Sequence, residues 1–192
     1  MKRPRMAVLI SGTGSNMEAL LKACIAGELE AETAFVGSDN VEAKGLATAG
    51  ALGAETRVFP YRAAKEAAER AIVEAVEYMK ADWIVLAGFM RILSPAFVRR
   101  FAGRIVNIHP SLLPAFPGAH GIRDAWEYGV KVTGVTVHLV DEGVDSGKIL
   151  AQRAVEIAPC DTLNTLKEKI HKVEHILYKE TLRKLFAENP LA

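Results

Sequence analysis

An asparagine and a histidine stand two residues apart in segment 106–114, where their side chains could stabilise an oxyanion and move a proton. Asn107 and His109 follow a strand-like run, and residues two apart on a strand project from the same face. The amide N–H can donate a hydrogen bond to an oxyanion, and the imidazole can transfer a proton near neutral pH. The pair could also be a satisfied polar pair at a strand end, so a third group is needed to indicate catalysis.

An acidic, glycine-containing loop at residues 141–147 follows the strand-like segment that contains His138. In a parallel sheet, the loops beyond the strand ends converge on the ligand crevice. An aspartate of this loop could therefore lie beside His109 and fix its orientation. Asn, His and Asp side chains would then serve a tetrahedral intermediate of acyl transfer. Because the chain has no G-x-S-x-G nucleophile elbow, direct transfer between two bound substrates is favoured over a covalent acyl-enzyme.

A glycine loop at residues 11–16 joins the first predicted strand to the first predicted helix. Its glycines allow close approach of the backbone to a ligand, and the helix N-terminus beyond offers free N–H groups. Ser15 and Glu18 have the spacing of a capping box. Met17 replaces the third glycine of G-x-G-x-x-G, and no Lys-Ser/Thr follows, so the loop predicts a phosphate site that is not a Walker A loop. A tight turn without a ligand, or a dinucleotide site in which Asp39 contacts a ribose, are the alternatives.

Two further segments could carry ligands. Residues 88–93 follow a buried strand and could hold a flat ring between main chain and aliphatic side chains, or could simply be a strand end with its turn. Residues 171–175 match the H-x-x-E-H pattern of a class of zinc proteases, with histidines four apart on a helix. That pattern arises easily by chance in a charged helix, and the chain is small for such an enzyme, so we expect no metal.

Composition limits the class of protein. With 192 residues and a net charge of +1, the chain fits one domain and has no basic excess that would point to nucleic acid. The apolar run at residues 6–10 is too short for a signal peptide, and none approaches the roughly 20 residues that span a bilayer. Cys24 and Cys160 form no metal-binding or disulfide pattern. We therefore expect a cytoplasmic protein without a membrane partner.

Buried strands alternate with helices along the first two thirds of the chain. Strands are predicted at residues 6–10, 34–37, 56–59, 83–87 and 104–108, and helices at about 15–26, 41–50 and 61–80. The alternation predicts an α/β fold with a single Rossmann-like, mostly parallel sheet and helices on both faces. Segments 130–140 and 148–157 could then pair as antiparallel strands, and Asp161 would cap a long C-terminal helix.

Five motifs occur in order: ISGTGSN at residues 10–16, LAGFMRIL at 86–93, NIHPSLLP at 107–114, PG at 117–118 and DEGVDSG at 141–147. Together they resemble the phosphoribosylglycinamide formyltransferase family over residues 6–185. The resemblance implies the formyltransferase fold in one domain, 1–192, with a nucleotide-binding half (about 1–100) and a folate-binding, catalytic half (about 101–192). It also implies transfer of the formyl group of 10-formyltetrahydrofolate to the amine of glycinamide ribonucleotide in de novo purine (IMP) biosynthesis, through a tetrahedral intermediate.

The resemblance also assigns roles to residues. By motif match, Asn107, His109 and Asp145 would be the catalytic trio. The ribonucleotide would be bound by Gly12, Thr13, Gly14, Ser15, Asn16 and Glu174. The folate would be bound by Lys65, Met90, Arg91, Ile92, Leu93, Asn107, Val140, Asp141 and Val144. Lys65 stands where the family often has arginine and is a looser partner for a carboxylate.

Other functions remain as alternatives at this point. The chain could be another enzyme that uses 10-formyltetrahydrofolate, such as a deformylase or a different formyltransferase, or a nucleotide-binding protein without activity. The expected partners are small-molecule substrates, with no metal, nucleic acid or membrane, and the expected state is a monomer or homodimer. Ligand holding alone would not need all three of Asn107, His109 and Asp145, which favours an enzyme.

Overall fold

A seven-stranded sheet forms the centre of the protein in a computed structural model that describes residues 3–189. Met1, Lys2 and residues 190–192 lie outside the described part. The strands are β1 (Arg5–Ile10), β2 (Glu32–Ser38), β3 (Thr56–Val58), β4 (Trp83–Leu86), β5 (Ile105–His109), β6 (Val132–Leu139) and β7 (Ile149–Glu156). β1 and β4 are continuous apolar runs because both of their faces are buried.

In the described part of the chain, six helices connect or flank these strands: α1 (Ser15–Ile25), α2 (Lys44–Ala51), α3 (Lys65–Tyr78), α4 (Pro95–Arg100), α5 (Gly121–Tyr128) and α6 (Leu163–Glu188). Across residues 3–189, no helix is long and apolar enough to cross a membrane. The 26-residue α6 is instead amphipathic and packs on the sheet through residues such as Leu166, Ile170 and Leu177.

The strand order is β3-β2-β1-β4-β5-β6-β7. β1 to β5 run parallel, whereas β6 pairs antiparallel with both β5 and β7. The predicted α/β class, the mostly parallel sheet and the antiparallel pair are confirmed. The order of strands reverses between β1 and β4, and ligands of such sheets bind at this switch point, beyond the carboxyl ends of the strands.

The two faces of the sheet are covered differently. On one face, α1 and α6 pack against alternate residues of β1, β4, β5 and β6. On the other face, α3 and α4 cover β1, β4 and the start of β5, where Ile105 is fully buried. Asn107 and His109 lie on the same face of β5 as Ile105, since successive side chains of a strand alternate between its two faces. The catalytic candidates therefore lie on this second face, beyond the part of β5 that α3 and α4 cover.

Several predicted boundaries are corrected. The predicted helices at 41–50 and 61–80 are shorter, at Lys44–Ala51 and Lys65–Tyr78, and α4 and α5 were not predicted. The capping box expected at Ser15 and Glu18 is wrong, because Gly14 is the N-cap of α1 and carries no side chain that could accept a hydrogen bond. The cap of α6 is Thr162 rather than Asp161, and its hydroxyl accepts a hydrogen bond from the Thr165 N–H.

Candidate active site

The loops after β1 and β4 meet at the switch point. The Ser11 N–H donates to the Gly88 carbonyl at 3.1 Å, and the Met90 N–H donates to the Ser11 hydroxyl at 2.8 Å. Tyr178 of α6 lies below, and its hydroxyl is 3.0 Å from each of the carbonyl oxygens of Leu86 and Val106. These contacts fix the crevice between strands that could otherwise separate at their ends.

The predicted trio comes together at this crevice. His109 is 4% exposed, and its Nδ1 lies 3.3 Å from Asp145 Oδ2. Its Nε2 lies 2.8 Å from the Phe116 carbonyl oxygen. Both ring nitrogens thus face acceptors, an arrangement that an imidazolium satisfies in full because each nitrogen then carries a proton. Asn107 is half-buried two residues earlier on the same face.

Asp145 reaches the histidine by a different route from the predicted one. Because β6 is antiparallel to β5, the loop after it leaves the sheet beside Ile105, at the start of β5 and away from the strand ends. It then returns across the open part of the second face. Asp145 has φ +52°, a left-handed conformation that favours Asp, Asn and Gly, and its Oδ2 accepts a 2.7 Å hydrogen bond from the Gly118 N–H.

The charge of Asp145 is stabilised by its surroundings. Partial burial would raise the pKa of this carboxyl, but hydrogen bonding, such as that from the Gly118 N–H, and the positive charge of His109 act in the opposite direction and outweigh it. The pKa therefore lies below its usual value of 3.8. At neutral pH the site holds a carboxylate against a histidine, the arrangement that orients a proton-transferring imidazole in serine proteases.

A cleft with a volume of about 350 Å³ opens beside the trio. Every predicted folate-binding residue except Lys65 lines it, together with Asn107, His109, His138 and Asp145. Met90, Ile92 and Val144 at its rim are 63%, 71% and 54% exposed. Exposed apolar side chains around a concave site are typical of a surface that a partly apolar ligand covers.

A second cleft, of about 450 Å³, adjoins the first. It is lined by the glycine loop, Gly12 to Asn16, and by Glu174, and so contains every residue predicted to bind the ribonucleotide. The two clefts share the wall formed by Gly88, Met90, Ile108, Pro110 and Ala119. Two ligands could therefore meet where His109 and Asn107 stand.

The glycine cap of α1 suits this second cleft. Gly14 has φ +71°, and because it has no side chain, the first N–H groups of α1 receive no side-chain cap. These groups and the positive end of the helix dipole face the cleft, as a bound phosphate requires. On its other side the loop is closed by α2, since the Gly45 N–H donates to the Gly12 carbonyl at 3.0 Å. Asp39 forms an ion pair with Arg91 at 2.5 Å and does not line this cleft.

Glu174 is a buried carboxyl in the wall of the second cleft. It is 5% exposed and accepts a 3.1 Å hydrogen bond from the Asn16 amide. Burial, only partly opposed by that hydrogen bond, raises its pKa from 4.5 to about 7. A neighbouring histidine, His171, lines the same cleft and has a lowered pKa because of its own burial and the nearby Lys167.

Because the native state binds the Glu174 proton more tightly than the unfolded chain, the associated stability is fully present below about pH 4.5 and is lost as pH rises through about 7. In the unsubstituted protein, ionisation of Glu174 should lower the free energy of unfolding by roughly 2–3 kcal/mol between pH 4.5 and 8. We expect Glu174→Gln to abolish this fall, because glutamine does not titrate. Urea titrations at several pH values measure this. Glu168→Gln, on an exposed position of the same helix, should leave the fall intact; an unchanged profile for Glu174→Gln would contradict the expectation.

Some predicted features are not brought into either cleft. Lys65 begins α3, and its Nζ is 4.0 Å from Glu69 Oε1, so its contact with folate stays a prediction. Within residues 3–189, no group of three or more His, Cys, Asp or Glu side chains is placed to hold a metal ion, and this includes the helix with His171 and His175. Arg123 and Lys167 line the second cleft and were not predicted, because an isolated basic residue on a helix carries no distinguishing pattern.

Comparison with known proteins agrees with this geometry. Residues 4–182 match the formyl transferase family. Phosphoribosylglycinamide formyltransferase of Bacillus subtilis (strain 168) is 41% identical over 96% of each chain. That of Mycobacterium tuberculosis (strain CDC 1551 / Oshkosh) is 48% identical over 90% of this chain and 80% of its own. The crystal structure of phosphoribosylglycinamide formyltransferase from Brucella melitensis is 50% identical, has a TM-score of 0.91 and covers 100% of both chains.

Proposed function

Since the chain belongs to the phosphoribosylglycinamide formyltransferase family of formyl transferases, we propose a direct transfer mechanism in which Asn107, His109 and Asp145 act on two substrates bound in adjoining clefts. The protein is a formyl transferase of purine biosynthesis that uses a formyl-folate co-substrate. We take this co-substrate to be 10-formyltetrahydrofolate and the acceptor to be glycinamide ribonucleotide. The observation that carries the mechanism is the 3.3 Å contact of His109 with Asp145 beside the shared wall of the clefts.

The reaction exchanges one carbon–nitrogen bond for another. The substrate amine attacks the formyl carbon, and the carbonyl oxygen becomes the oxyanion of a tetrahedral intermediate. The intermediate then collapses by breaking the bond to folate N10. The amine loses a proton and N10 gains one, so the catalyst must stabilise a negative oxygen and carry a proton between two nitrogens.

Each member of the trio supplies one of these needs. The Asn107 amide donates to the oxyanion, which in enzymes is worth about 10²–10³ in rate for a single donor. His109 adds positive charge and transfers the proton, and Asp145 orients its ring through Nδ1. The Phe116 carbonyl holds Nε2 at 2.8 Å, so this nitrogen exchanges that partner for substrate when the clefts are filled.

Each of the two clefts recognises one of the two substrates. The apolar rim of Met90, Ile92 and Val144 suits the flat pterin ring, and main-chain groups at 140–145 can satisfy its polar edge. In the second cleft, the uncapped start of α1 suits the phosphate, and Glu174 suits a ribose hydroxyl. A single domain, a cytoplasmic location and a monomeric or homodimeric state stay predictions.

A formyl-transfer assay separates this function from its alternatives. The purified protein, given glycinamide ribonucleotide and 10-formyltetrahydrofolate, should form tetrahydrofolate and the formylated ribonucleotide in equal amounts. Without the ribonucleotide, we expect release of formate to be slower by at least about 10²-fold, since the attacking amine is missing. Release of formate at the same rate in both reactions would indicate a deformylase, and binding of both ligands without turnover would indicate a non-catalytic protein.

A further inference from the structure

A second histidine, His138, lies against the catalytic trio and has no role in the mechanism above. It is the cross-strand partner of Asn107 in the antiparallel β5–β6 pair and is 2% exposed. Side chains directly opposite each other in such a pair lie on the same face and within contact distance. Its Nε2 is 3.2 Å from the Asn107 Nδ2, and its Nδ1 is 2.9 Å from the Leu139 carbonyl oxygen.

The Leu139 carbonyl determines which nitrogen of His138 carries the proton. A carbonyl oxygen can only accept, so Nδ1 must donate to it. In a neutral ring, Nε2 then carries no proton and can only accept a hydrogen bond. Asp145 Oδ1, the other polar atom near Nε2, is itself an acceptor and lies 3.6 Å away, beyond hydrogen-bonding distance. The negative charge of Asp145 already has its own partners in His109 and the Gly118 N–H.

An unprotonated Nε2 leaves only one favourable orientation for the Asn107 amide. With Nδ2 towards His138, one N–H donates to Nε2 and the second N–H remains for the cleft. If the amide turned over, its oxygen would face Nε2, and two acceptors would stand about 3 Å apart. Among the described residues, no other hydrogen bond holds this amide, so the ring of His138 alone distinguishes the two orientations.

We propose that His138 is a positioning residue whose Nδ1–H tautomer, held by the Leu139 carbonyl, turns an N–H of Asn107 towards the formyl oxygen. This inference rests on the proposed role of Asn107 as oxyanion donor. A chain of three groups, from a main-chain carbonyl through an imidazole to an amide, then orients the donor before substrate binds. Donors that need no reorganisation during the reaction contribute most to rate.

The consequence for kinetics differs from that of a packing residue. His138→Phe keeps a ring of similar shape but removes the acceptor, so both orientations of Asn107 become accessible. We expect kcat to fall about tenfold, less than the loss of about 10²-fold or more for Asn107→Ala, with both KM values changed less than about threefold. His138→Gln can again offer an acceptor to Asn107 through Oε1, and it should recover kcat to within about threefold of the unsubstituted protein.

A double-mutant cycle tests whether His138 acts through Asn107. If it does, His138→Phe should change kcat less than twofold when Asn107 is already alanine. The same tenfold loss in both backgrounds would overturn the inference, because the ring would then act on packing or on Asp145. If Asn107→Ala alone left kcat nearly unchanged, the assigned oxyanion donor would be wrong, and that single variant would expose this failure separately.

Nitrogen-15 NMR of histidine-labelled full-length protein tests the tautomer without any activity measurement. The His138 signals, assigned by their absence in His138→Gln, should show a protonated Nδ1 and an unprotonated Nε2 at pH 7.5. An imidazolium or an Nε2–H tautomer would overturn the inference even if the kinetic cycle could not be completed. This measurement also decides the outcome if His138→Phe fails to fold.

Discussion

Replacing Asp145 with asparagine is expected to lower kcat by about 10³-fold or more while the affinity for the ribonucleotide changes less than about threefold. Asparagine tolerates the left-handed backbone at φ +52°, so the loop should keep its course. What disappears is the negative charge that faces His109 Nδ1 at 3.3 Å. A loss of 10³ corresponds to about 4 kcal/mol of transition-state stabilisation.

Steady-state kinetics and calorimetric titration with the ribonucleotide check the two halves of this expectation. Asp161→Asn is a matched control, because Asp161 is also a hydrogen-bonded aspartate with a lowered pKa, held chiefly by Lys169, and it lines neither cleft. It should keep activity within about twofold. A near-native kcat for Asp145→Asn would show that the imidazole works without its carboxylate, and the mechanism would have to be abandoned.

Replacement of His109 should have the second large effect. We expect His109→Ala to lower kcat by about 10²–10⁴-fold, the usual contribution of a group that transfers a proton in the transition state. His109→Gln is the sharper variant, because its amide can still donate to the Phe116 carbonyl but neither carries charge nor moves a proton. Both variants should therefore be similarly impaired, although the glutamine protein should unfold at a higher denaturant concentration.

Single-turnover measurements with both substrates bound would separate the chemical step from binding and release. If His109→Gln retained a chemical step within about tenfold of the unsubstituted rate, the role of His109 would be the hydrogen bond alone. Comparable losses in both variants would assign the effect to the imidazole itself.

The parts of the fold that follow from hydrophobic pattern were predictable. Residues 6–10 of β1 and the whole of β4 are uninterrupted apolar runs because helices cover both of their faces. β6 alternates because Val135 and Val137 belong to the apolar core, whereas the buried Thr136 on the other face hydrogen-bonds to the loop after β5.

α4 was not predicted, since six residues are too few for a helical period to emerge. α5 was not predicted because its start has no capping signal: His120 is the N-cap without a side-chain cap, and the helix begins at Gly121. The Ser94–Pro95 start of α4 does carry a cap signal, with the Ser94 hydroxyl accepting from the Phe97 N–H.

The proximity of Asn107, His109 and Asp145 was predictable from the sequence, but the path of the chain that brings them together was not. Asn107 and His109 share a face by strand geometry alone. Asp145 joins them by crossing the sheet face from an antiparallel strand, a path that depends on the strand direction and on the Gly118 N–H, neither of which is visible in the loop's own residues. His138 was given no role from the sequence, because its position opposite Asn107 comes from the cross-strand register, which the residues of β6 alone do not contain.

The positive φ of Asp145 has a consequence for how this position can drift in evolution. Aspartate codons lie one nucleotide from those of asparagine and glycine, the two other residues that tolerate such a backbone. The commonest neutral-looking changes would thus yield proteins that fold and accumulate normally but no longer turn over substrate. A lineage that lost this activity would show the loss in a single codon long before it showed it in solubility or abundance.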